Sequence, residues 1–211
     1  MWLHSKDPEF KEKVNEIVKL YQNPPENSVV ISVDEKTGVQ ATERKYETQM
    51  PKPGKSGKYE YEYIRHGTQT LIAGFNTITG KVTALTGKTR KAEDLLGFMN
   101  ILAEEYEDIE TIHIIWDNLN IHKDGNEGRW SEFNGKHGNK FVFHYTPIHS
   151  SWVNQIEIFF SILQKRCLRY GNFKSENDLK ECMMKFVDKW NFDEYHPFNW
   201  KFKGYSIRKG E

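Results

Sequence analysis

Apolar residues recur at helical or strand spacing along most of the chain, and these spacings predict its secondary structure. The first helix begins at Pro8, for which Asp7 provides the N-cap, and ends before Pro24 and Pro25. Apolar positions about one turn apart predict further helices over residues 91–107, 152–170 and 178–190. Shorter runs that are rich in β-branched residues, or that alternate between apolar and polar, predict strands over residues 29–33, 39–42, 69–77, 81–85, 111–116 and 140–144.

The order of these elements predicts the fold class. Strands that can pair as antiparallel neighbours come first, and strands that alternate with helices follow them, which is typical of an α/β protein with a mixed sheet flanked by helices. A short turn is expected between the first two strands. Residues 43–59, rich in Lys, Pro and Gly, are expected to form a loop.

Two of the apolar strands end in an aspartate. Asp34 follows Val-Val-Ile-Ser-Val, and Asp117 follows Ile-His-Ile-Ile-Trp. Because chemistry in open α/β folds gathers at strand ends, we expect both carboxylates at one edge of the sheet. A third acid, Glu157, lies at the edge of the buried stripe of an aromatic-rich helix. Crowded carboxylates repel one another unless a cation joins them, and Mg²⁺ prefers carboxylate oxygens, so the three acids predict a metal site.

The residues around these acids resemble a known family. The segment His-Tyr-Thr-Pro-Ile-His-Ser-Ser-Trp-Val-Asn-Gln-Ile-Glu, which ends at Glu157, is similar to the last catalytic segment of the mariner superfamily of DDE transposases, especially its bacterial insertion-sequence branch. The spacing of the three acids also agrees with that family. The resemblance runs from about Pro24 to Trp200, and its further matches, in the same order, are Val33-Asp34-Glu35-Lys36, Arg65-His66-Gly67-Thr68, Asp117-Asn118 and His122-Lys123.

This resemblance implies a ribonuclease H-like fold and the catalytic domain of a cut-and-paste transposase. Asp34, Asp117 and Glu157 would be the catalytic residues and would hold two Mg²⁺ ions, with Mn²⁺ as a substitute, about 4 Å apart. The site would hydrolyse a phosphodiester at a transposon end and then use the freed 3′-hydroxyl to attack target DNA, with TA as the expected target. The implied partners are both DNAs and, on DNA, a second copy of the chain. The residues alone indicate only metal-dependent phosphodiester cleavage.

Charge is balanced overall but unevenly distributed. Thirty Lys and Arg residues match thirty Asp and Glu residues, which is unexpected for a protein that binds a polyanion. Residues 93–117 contain acids but no Lys or Arg, whereas residues 158–211 are net basic. We therefore expect DNA contacts in the C-terminal half, first at Lys165, Arg166 and Arg169 on the Glu157 helix. Further candidates for DNA contact, with a strand cap or a solvated loop as the alternative, are Arg65, His66, His122 and Lys123.

Each acid also has a structural interpretation. Asp34 could be only a turn residue, and Glu157 could lie on the exposed face of its helix. Asp117 with Asn118 could form an Asx turn, and Glu35 could contact either a metal ion or protein. For the whole chain, two alternatives stay open. One is a non-catalytic DNA-binding or assembly module, and the other is a phosphatase of the haloacid dehalogenase type, which also begins with a strand-end aspartate.

Other residues near the acids are assigned structural roles. Ser150 and Ser151 are expected to cap the Glu157 helix, since a hydroxyl there satisfies an unpaired backbone donor. Trp152 is expected to lie in the core. Cys167 and Cys182 show neither metal-binding spacing nor a disulfide framework, which favours a reducing compartment.

Length and composition indicate an ordinary globular protein. A chain of 211 residues that is 37% hydrophobic can enclose a proper core. We expect residues 1–25 to form an N-terminal linker helix and residues 26–211 to form the catalytic domain, with the family's N-terminal helix-turn-helix modules absent. Neither an apolar run long enough for a membrane span nor a basic-then-apolar leader is present, so a bacterial cytoplasmic, nucleoid-associated location is expected.

Overall fold

The computed structural model describes residues 7–46, 49–58, 60–125 and 127–206, and within them one mixed sheet is flanked by helices. The strands are β1 (Ser28–Arg44), β2 (Tyr63–Asn76), β3 (Val82–Gly87), β4 (Thr111–Trp116) and β5 (Phe141–Tyr145). The helices are α1 (Phe10–Gln22), α2 (Ala92–Glu105), α3 (Arg129–Lys136), α4 (Ile156–Leu163) and α5 (Glu176–Lys189). The sheet order is β3-β2-β1-β4-β5. β2 is antiparallel to both β1 and β3, while β4 and β5 run parallel to β1. The predicted fold class is confirmed.

β1 is one long strand and not the predicted pair of strands joined by a turn. The pairing of β1 with β2 shifts register between Lys36 and Val39. This bulge lies at the break between the two apolar runs, so the strand continues through it. Gly38 lies there with a φ of 64°, a conformation that favours glycine. The turn prediction is wrong because a glycine beside polar residues marks a bulge as well as a turn.

β2 begins six residues earlier than predicted, at Tyr63 instead of Gln69. The predicted loop over residues 43–59 likewise overlaps the end of β1, which continues to Arg44. The side chains of the first six residues of β2 are exposed or only partly buried. A strand segment with no buried face needs no alternation of apolar and polar residues, so the sequence pattern does not indicate this part of β2.

α3 is a helix that the sequence pattern does not predict. It follows Gly128, which has a φ of 63°, and its buried residues are Trp130 and Phe133. Two apolar positions are too few to define a helical period, so the segment cannot be distinguished from a loop.

The helix that carries Glu157 is shorter than predicted. The pattern predicts one helix over residues 152–170, whereas the structure has a 3₁₀ turn at Ser151–Val153, then α4, and then a π-helical turn at Gln164–Leu168. Each of these turns is a single short piece, too short to change the apolar spacing of the segment noticeably.

Two structural roles expected near Glu157 are wrong. Neither Ser150 nor Ser151 caps α4, because its N-cap position is Gln155, which makes no side-chain capping bond. Trp152 is 45% exposed and lies parallel to the ring of Trp200 at a centroid distance of 6.4 Å. The 3₁₀ turn and the extended Asn154 before α4 move these side chains out of the positions that a continuous α-helix would give them.

Side chains of β1 alternate between two core layers. Val29, Ile31 and Val33 pack with α2 and α3 on one face of the sheet. Val30, between them, packs on the opposite face with α1. On that same face, α4 and α5 cover β2 and β3. Adjacent residues of β1 therefore face different layers, as the strand geometry requires.

The predicted first helix is present as α1 and belongs to the packed core. Its buried side chains include Val14, Ile17 and Val18, which contact β1 and β4. The side-chain amide of Asn15 also exchanges two hydrogen bonds with the backbone of Tyr205, at 2.6 and 2.9 Å. Among the described helices, none is both long and apolar enough to cross a membrane.

Asparagine side chains occupy the start of both edge strands. The amide of Asn191 accepts from the backbone N–H of Val82 at 2.8 Å and donates to its carbonyl at 2.7 Å, as a neighbouring strand would. The amide of Asn134 does the same for Phe141 in β5, at 2.9 and 2.8 Å. At these positions, the outward-facing backbone groups of the sheet are therefore already paired.

The turn between β2 and β3 depends on Gly80. Its φ is 85°, and a Cβ atom there would lie 2.0 Å from the carbonyl carbon of His196. Gly80→Ala should therefore lower the free energy of unfolding by roughly 2 kcal/mol or more, measured by urea unfolding. Gly97→Ala is the matched control, because Gly97 is exposed within α2 with nothing within 4 Å of the added carbon. It should be neutral or stabilising by up to about 1 kcal/mol. Equal destabilisation by both substitutions would contradict this account.

Candidate active site

Asp34 and Asp117 lie beside each other at the ends of two parallel strands. The last paired residues of β1 and β4 are Ser32 and Ile115. Continuing that register by two residues places Asp34 next to Asp117, which directly follows β4. The pairing of these two strands thus joins two acids that are far apart in the sequence.

Glu157 reaches the same edge of the sheet from the first turn of α4. The side-chain amide of Asn154 donates a buried hydrogen bond to the carbonyl of Val33 at 2.9 Å. The carbonyl of Asn154 in turn accepts from the backbone N–H of Glu157 at 3.2 Å. The start of α4 is therefore tied to the residue before Asp34. Because Ile156 is buried in the core, the neighbouring Glu157 lies at the edge of the buried face.

The three carboxylates act on one another electrostatically. Burial raises the pKa of Asp34 to about 7, even though the backbone N–H of Glu35 donates a hydrogen bond to its carboxylate at 2.7 Å. The negative charges of Glu35, Asp117 and Glu157 raise this pKa further. Burial also raises the pKa of Glu157, although the ammonium group of Lys36 opposes the rise. Asp34, Asp117 and Glu157 are called the acid cluster below. Burial and the neighbouring negative charges both disfavour ionisation of Asp34 and Glu157 within it.

The acid cluster does not have the geometry of a formed metal site. Within the described ranges, no group of three or more His, Cys, Asp or Glu side chains is arranged to hold a metal ion. One oxygen of Asp117 accepts a hydrogen bond from the backbone N–H of Leu119 at 2.9 Å. This contact, to the residue two positions later, is that of an Asx turn, so the structural interpretation of Asp117 is present together with its position in the cluster.

Glu35 faces away from Asp34 and contacts His122. In the pairing with β2, Glu35 lies opposite Ile72, which belongs to the core layer with α2 and α3. The Glu35 side chain is 1% exposed, and its Oε1 lies 3.0 Å from Nε2 of His122. The other ring nitrogen, Nδ1, lies 2.7 Å from Oδ1 of Asp117. Glu35 is therefore connected to the acid cluster through the imidazole.

His122 is a buried cation between two carboxylates. Because both ring nitrogens contact carboxylate oxygens, both must donate a proton. Burial lowers the pKa of His122, but the hydrogen bonds to Asp117 and Glu35 raise it to about 9. The ring is 0% exposed and lies parallel to that of Trp116, with centroids 4.8 Å apart. The sequence predicts His122 as a DNA contact, but the structure buries the whole ring, so neither nitrogen is available to a phosphate.

Cationic side chains that the sequence did not single out for a role also lie near the acid cluster. Lys36 acts on Glu157, and its Nζ lies 5.9 Å from the ring centre of Phe160. Burial raises the pKa of Asp117, but its hydrogen bonds, together with the charges of His122 and Arg90, bring it below its ordinary value. Lys36 appears in the sequence only as part of the Val-Asp-Glu-Lys match. Arg90 lies in a loop where no spacing points to it.

Two of the other predicted DNA contacts lie far from the acid cluster. Arg65 in β2 pairs with Thr42 of β1, eight residues beyond Asp34. At 3.3 Å per residue, this is a separation of roughly 26 Å. The neighbouring His66 is bonded to Glu43, with 2.8 Å between Nε2 and Oε2. Arg65 and His66 therefore do not belong to the acid cluster.

The remaining predicted contacts lie closer to it along the chain. Lys123 is exposed and directly follows the buried His122. Lys165 and Arg166 lie in the π-helical turn after α4, and Arg169 follows it. Arg166 is paired with Glu194, with 2.8 Å between Nη2 and Oε1. All three side chains are exposed, but the ion pair of Arg166 with Glu194 leaves Lys165 and Arg169 better placed to contact DNA.

The residues of the acid cluster fit a hard divalent cation. Carboxylate oxygens are the ligands that Mg²⁺ and Mn²⁺ prefer, and both aspartates and Glu157 supply them. Burial and the neighbouring acids raise the pKa of Asp34, and the positive charge of such an ion would favour its ionised form.

The five-stranded mixed sheet and its flanking helices are those of the ribonuclease H-like fold. The family model described as DDE superfamily endonuclease matches residues 29–180, and this chain belongs to that family. The resemblance of the sequence motifs to DDE transposases is thereby confirmed.

The comparison with curated proteins gives a relative from Shigella sonnei, the insertion element IS630 uncharacterized 39 kDa protein. It is 27% identical over 193 residues, which cover 88% of this chain and 52% of that protein. The chain thus spans about half the length of this relative.

Solved structures of Mos1 share the fold. The Mos1 transposase paired-end complex with left transposon end has a TM-score of 0.59 at 14% identity, over 93% of this chain and 59% of that chain. The Mos1 mariner paired end complex with Mn has a TM-score of 0.56 at 16% identity, over 90% of this chain and 57% of that chain.

The raised pKa of Asp34 predicts a pH-dependent cost to stability. Above pH 7, Asp34 is charged in both the folded and the unfolded chain. Burying that charge then lowers the free energy of unfolding by its full amount. As the pH falls from about 7 towards the ordinary value of 3.8, the folded state binds the proton first and the cost disappears. Asp34→Asn should therefore raise the free energy of unfolding of metal-free protein by roughly 1 to 4 kcal/mol at pH 8, and by much less at pH 5.

Urea unfolding in a chelator at both pH values measures this difference. Asp108→Asn serves as the control, because Asp108 is exposed after α2 and its loss should give no such pH-dependent gain. A gain for Asp34→Asn that is larger at pH 5 than at pH 8 would show that the pKa of Asp34 is not raised.

Proposed function

We propose that this chain is the catalytic domain of a transposase that uses divalent metal ions to cleave DNA at transposon ends and to transfer the freed strand to target DNA. The observation that carries the proposal is the meeting of Asp34, Asp117 and Glu157 at one edge of the sheet, where the last two raise the pKa of the first. Membership of the DDE superfamily endonucleases supports it. The catalytic unit would include α1 as well as residues 26–211, because the buried side chains of α1 pack against β1 and β4.

The proposed catalytic residues are the three acids, and they would hold two Mg²⁺ ions or two Mn²⁺ ions. When bound, such ions activate the attacking oxygen and stabilise the leaving oxygen of a phosphodiester. The contribution of the chain is a set of hard oxygen ligands on three separate, well-packed elements. Burial raises the pKa of Asp34 to about 7, and the positive charge of a bound ion would favour release of its proton.

Basic side chains around the acid cluster would position the DNA backbone. Lys36 and Arg90 act on the acids electrostatically and would pair with non-bridging phosphate oxygens. Lys123 directly follows His122 in the sequence, and its side chain is exposed, so it would contact a flanking phosphate. A polar groove of about 270 Å³, lined by Lys36, Gln40 and Gln164 among others, lies between the bulge of β1 and the π-helical turn. It would receive one DNA strand.

The partners proposed for this chain are transposon-end DNA, target DNA and a second copy of the chain. Mos1, which shares the fold, is described in a paired-end complex and in a strand transfer complex. Two copies acting together on two ends would explain how cleavage and strand transfer occur in one assembly.

A non-catalytic DNA-binding or assembly module is the second candidate, and a nicking assay distinguishes it from an enzyme. The phosphatase alternative has no support, because the family match and the antiparallel β1, β2 and β3 both point to the DDE family. Lys36 also occupies the position, two residues after Asp34, where that phosphatase chemistry would need an acid.

The proposal predicts nicking of supercoiled plasmid that requires Mg²⁺ or Mn²⁺. Because the metal ions are worth several kcal/mol in the transition state, Asp34→Ala, Asp117→Ala and Glu157→Ala should each lower the rate by about 10² or more. Lys123→Ala should lower it less, since it removes a phosphate contact and not a ligand. Glu110→Ala, at the opposite end of β4, is the control for loss of an exposed acid.

Two outcomes of the nicking assay would count against the proposal. Undiminished nicking by Glu157→Ala would refute the role of the third acid. Failure of the wild-type chain to nick with either metal would favour the non-catalytic module.

The exposed basic residues after α4 predict weak, salt-dependent DNA binding. The chain should bind duplex DNA with a Kd of roughly 10⁻⁴ to 10⁻⁶ M at physiological salt, with little sequence preference. Replacing Lys165 and Arg169 with alanine should weaken binding and flatten the salt dependence by up to about two phosphate contacts. Arg166→Ala should change it less, because Glu194 already pairs with Arg166. Fluorescence anisotropy at several salt concentrations measures both. A larger effect of Arg166→Ala would contradict this assignment.

A further inference from the structure

A buried ion pair lies directly behind the acid cluster, on the opposite face of the sheet. We propose that Glu35 and His122 are positioning residues, which hold the carboxylate of Asp117 in the orientation that receives a divalent cation. This inference rests on the proposed function, because it assigns the pair a role in metal binding. Glu35 and His122 are called the buried pair below.

The buried pair reaches the acid cluster through one atom. Nδ1 of His122 lies 2.7 Å from Oδ1 of Asp117, and it is also 3.1 Å from the backbone carbonyl of the same residue. The ring therefore contacts both the side chain and the main chain of Asp117. Glu35 holds the opposite side of the ring at 3.0 Å. Because Glu35 and Asp34 are adjacent in β1 and face opposite sides, the strand supports Asp34 directly and Asp117 indirectly.

The imidazole has little freedom to move. It lies parallel to Trp116 at 4.8 Å, and Trp116 lies parallel to Phe143 at the same distance. The backbone carbonyl of His122 accepts a hydrogen bond from the hydroxyl of Tyr145 at 2.8 Å. A ring fixed by stacking and by its backbone imposes its own orientation on the carboxylate that it contacts.

The desolvation of a buried ion pair can cost more free energy than the attraction between its charges returns. Stability alone therefore does not explain why this pair is present. The two side chains are 1% and 0% exposed, and Oε2 of Glu35 has no hydrogen-bond partner among the described residues. Apolar residues of similar size in place of such a pair are often neutral or stabilising. Apolar residues cannot orient a metal ligand in this way, because they cannot donate a hydrogen bond to Asp117 as the imidazole does.

Calorimetric titration of the full chain with Mn²⁺ at pH 8 tests the inference, with thermal unfolding of metal-free protein as the second measurement. His122→Gln should raise the Kd for Mn²⁺ by about 10- to 100-fold, as is typical when a group that orients a metal ligand is lost. Nicking by this variant should recover as the Mn²⁺ concentration is raised.

A second variant separates positioning from folding, because His122→Gln leaves Glu35 unpaired and can prevent folding. Glu35→Leu with His122→Phe removes both charges and keeps an aromatic ring against Trp116. This double variant leaves no charge of the buried pair without its partner, so it should stay folded, yet it should bind Mn²⁺ about tenfold or more weakly. A folded protein with weaker metal binding is a result that a purely structural role would not give.

Glu16→Gln is the matched control for the double variant. It alters another carboxylate–imidazole contact, between Glu16 and His144 at 3.0 Å, without touching the acid cluster, and it should leave the Kd unchanged. A wild-type Kd in the folded double variant would overturn the inference alone. If Asp34→Asn with Asp117→Asn binds Mn²⁺ as tightly as the wild type does, the ion binds elsewhere, and the proposed metal site and the inference both fail.

Discussion

The crowding of partly buried carboxylates is the constraint on which this edge of the molecule depends. Burial raises the pKa of Asp34 to about 7, and the negative charges of Glu35, Asp117 and Glu157 raise it further. A fold shaped by stability alone would leave such acids in water, where repulsion is weak. Here, burial keeps them together. A buried imidazolium and nearby Lys36 and Arg90 compensate part of their charge and leave the remainder for a cation.

The rest of the fold maintains this crowding. The parallel register of β1 and β4 places the two aspartates side by side, and the bond from Asn154 to Val33 brings the start of α4 to the same position. On the opposite face, the aromatic layer around Trp116 supports His122. Each acid is thus held by a different element, and the elements are connected through the sheet. Relaxation of one acid away from the others would require a change in core packing.

The sequence predicts the parts of this arrangement that are local and periodic. Strand-length apolar runs that end in Asp34 and Asp117 indicate one edge of a sheet, and the motif around Glu157 indicates the family. Contacts between distant residues leave no such signal. Three strands and a helix separate Glu35 from His122 along the chain. In the sequence, Glu35 is only the neighbour of Asp34, and His122 lies shortly after Asp117. The short α3, the bulge at Gly38 and the turns around α4 are missed because they barely change the apolar spacing.

The asparagine side chains at the sheet edges have a consequence for how copies of this protein can associate. An open edge strand invites another chain to add a strand, which leads to unregulated aggregation. The side-chain amides of Asn191 and Asn134 pair with the backbone N–H and carbonyl of the first residues of β3 and β5. Growth of the sheet from those positions would first have to break two hydrogen bonds to an ordered side chain. Association is thereby directed to side-chain surfaces, whose chemistry can select a partner as backbone pairing cannot.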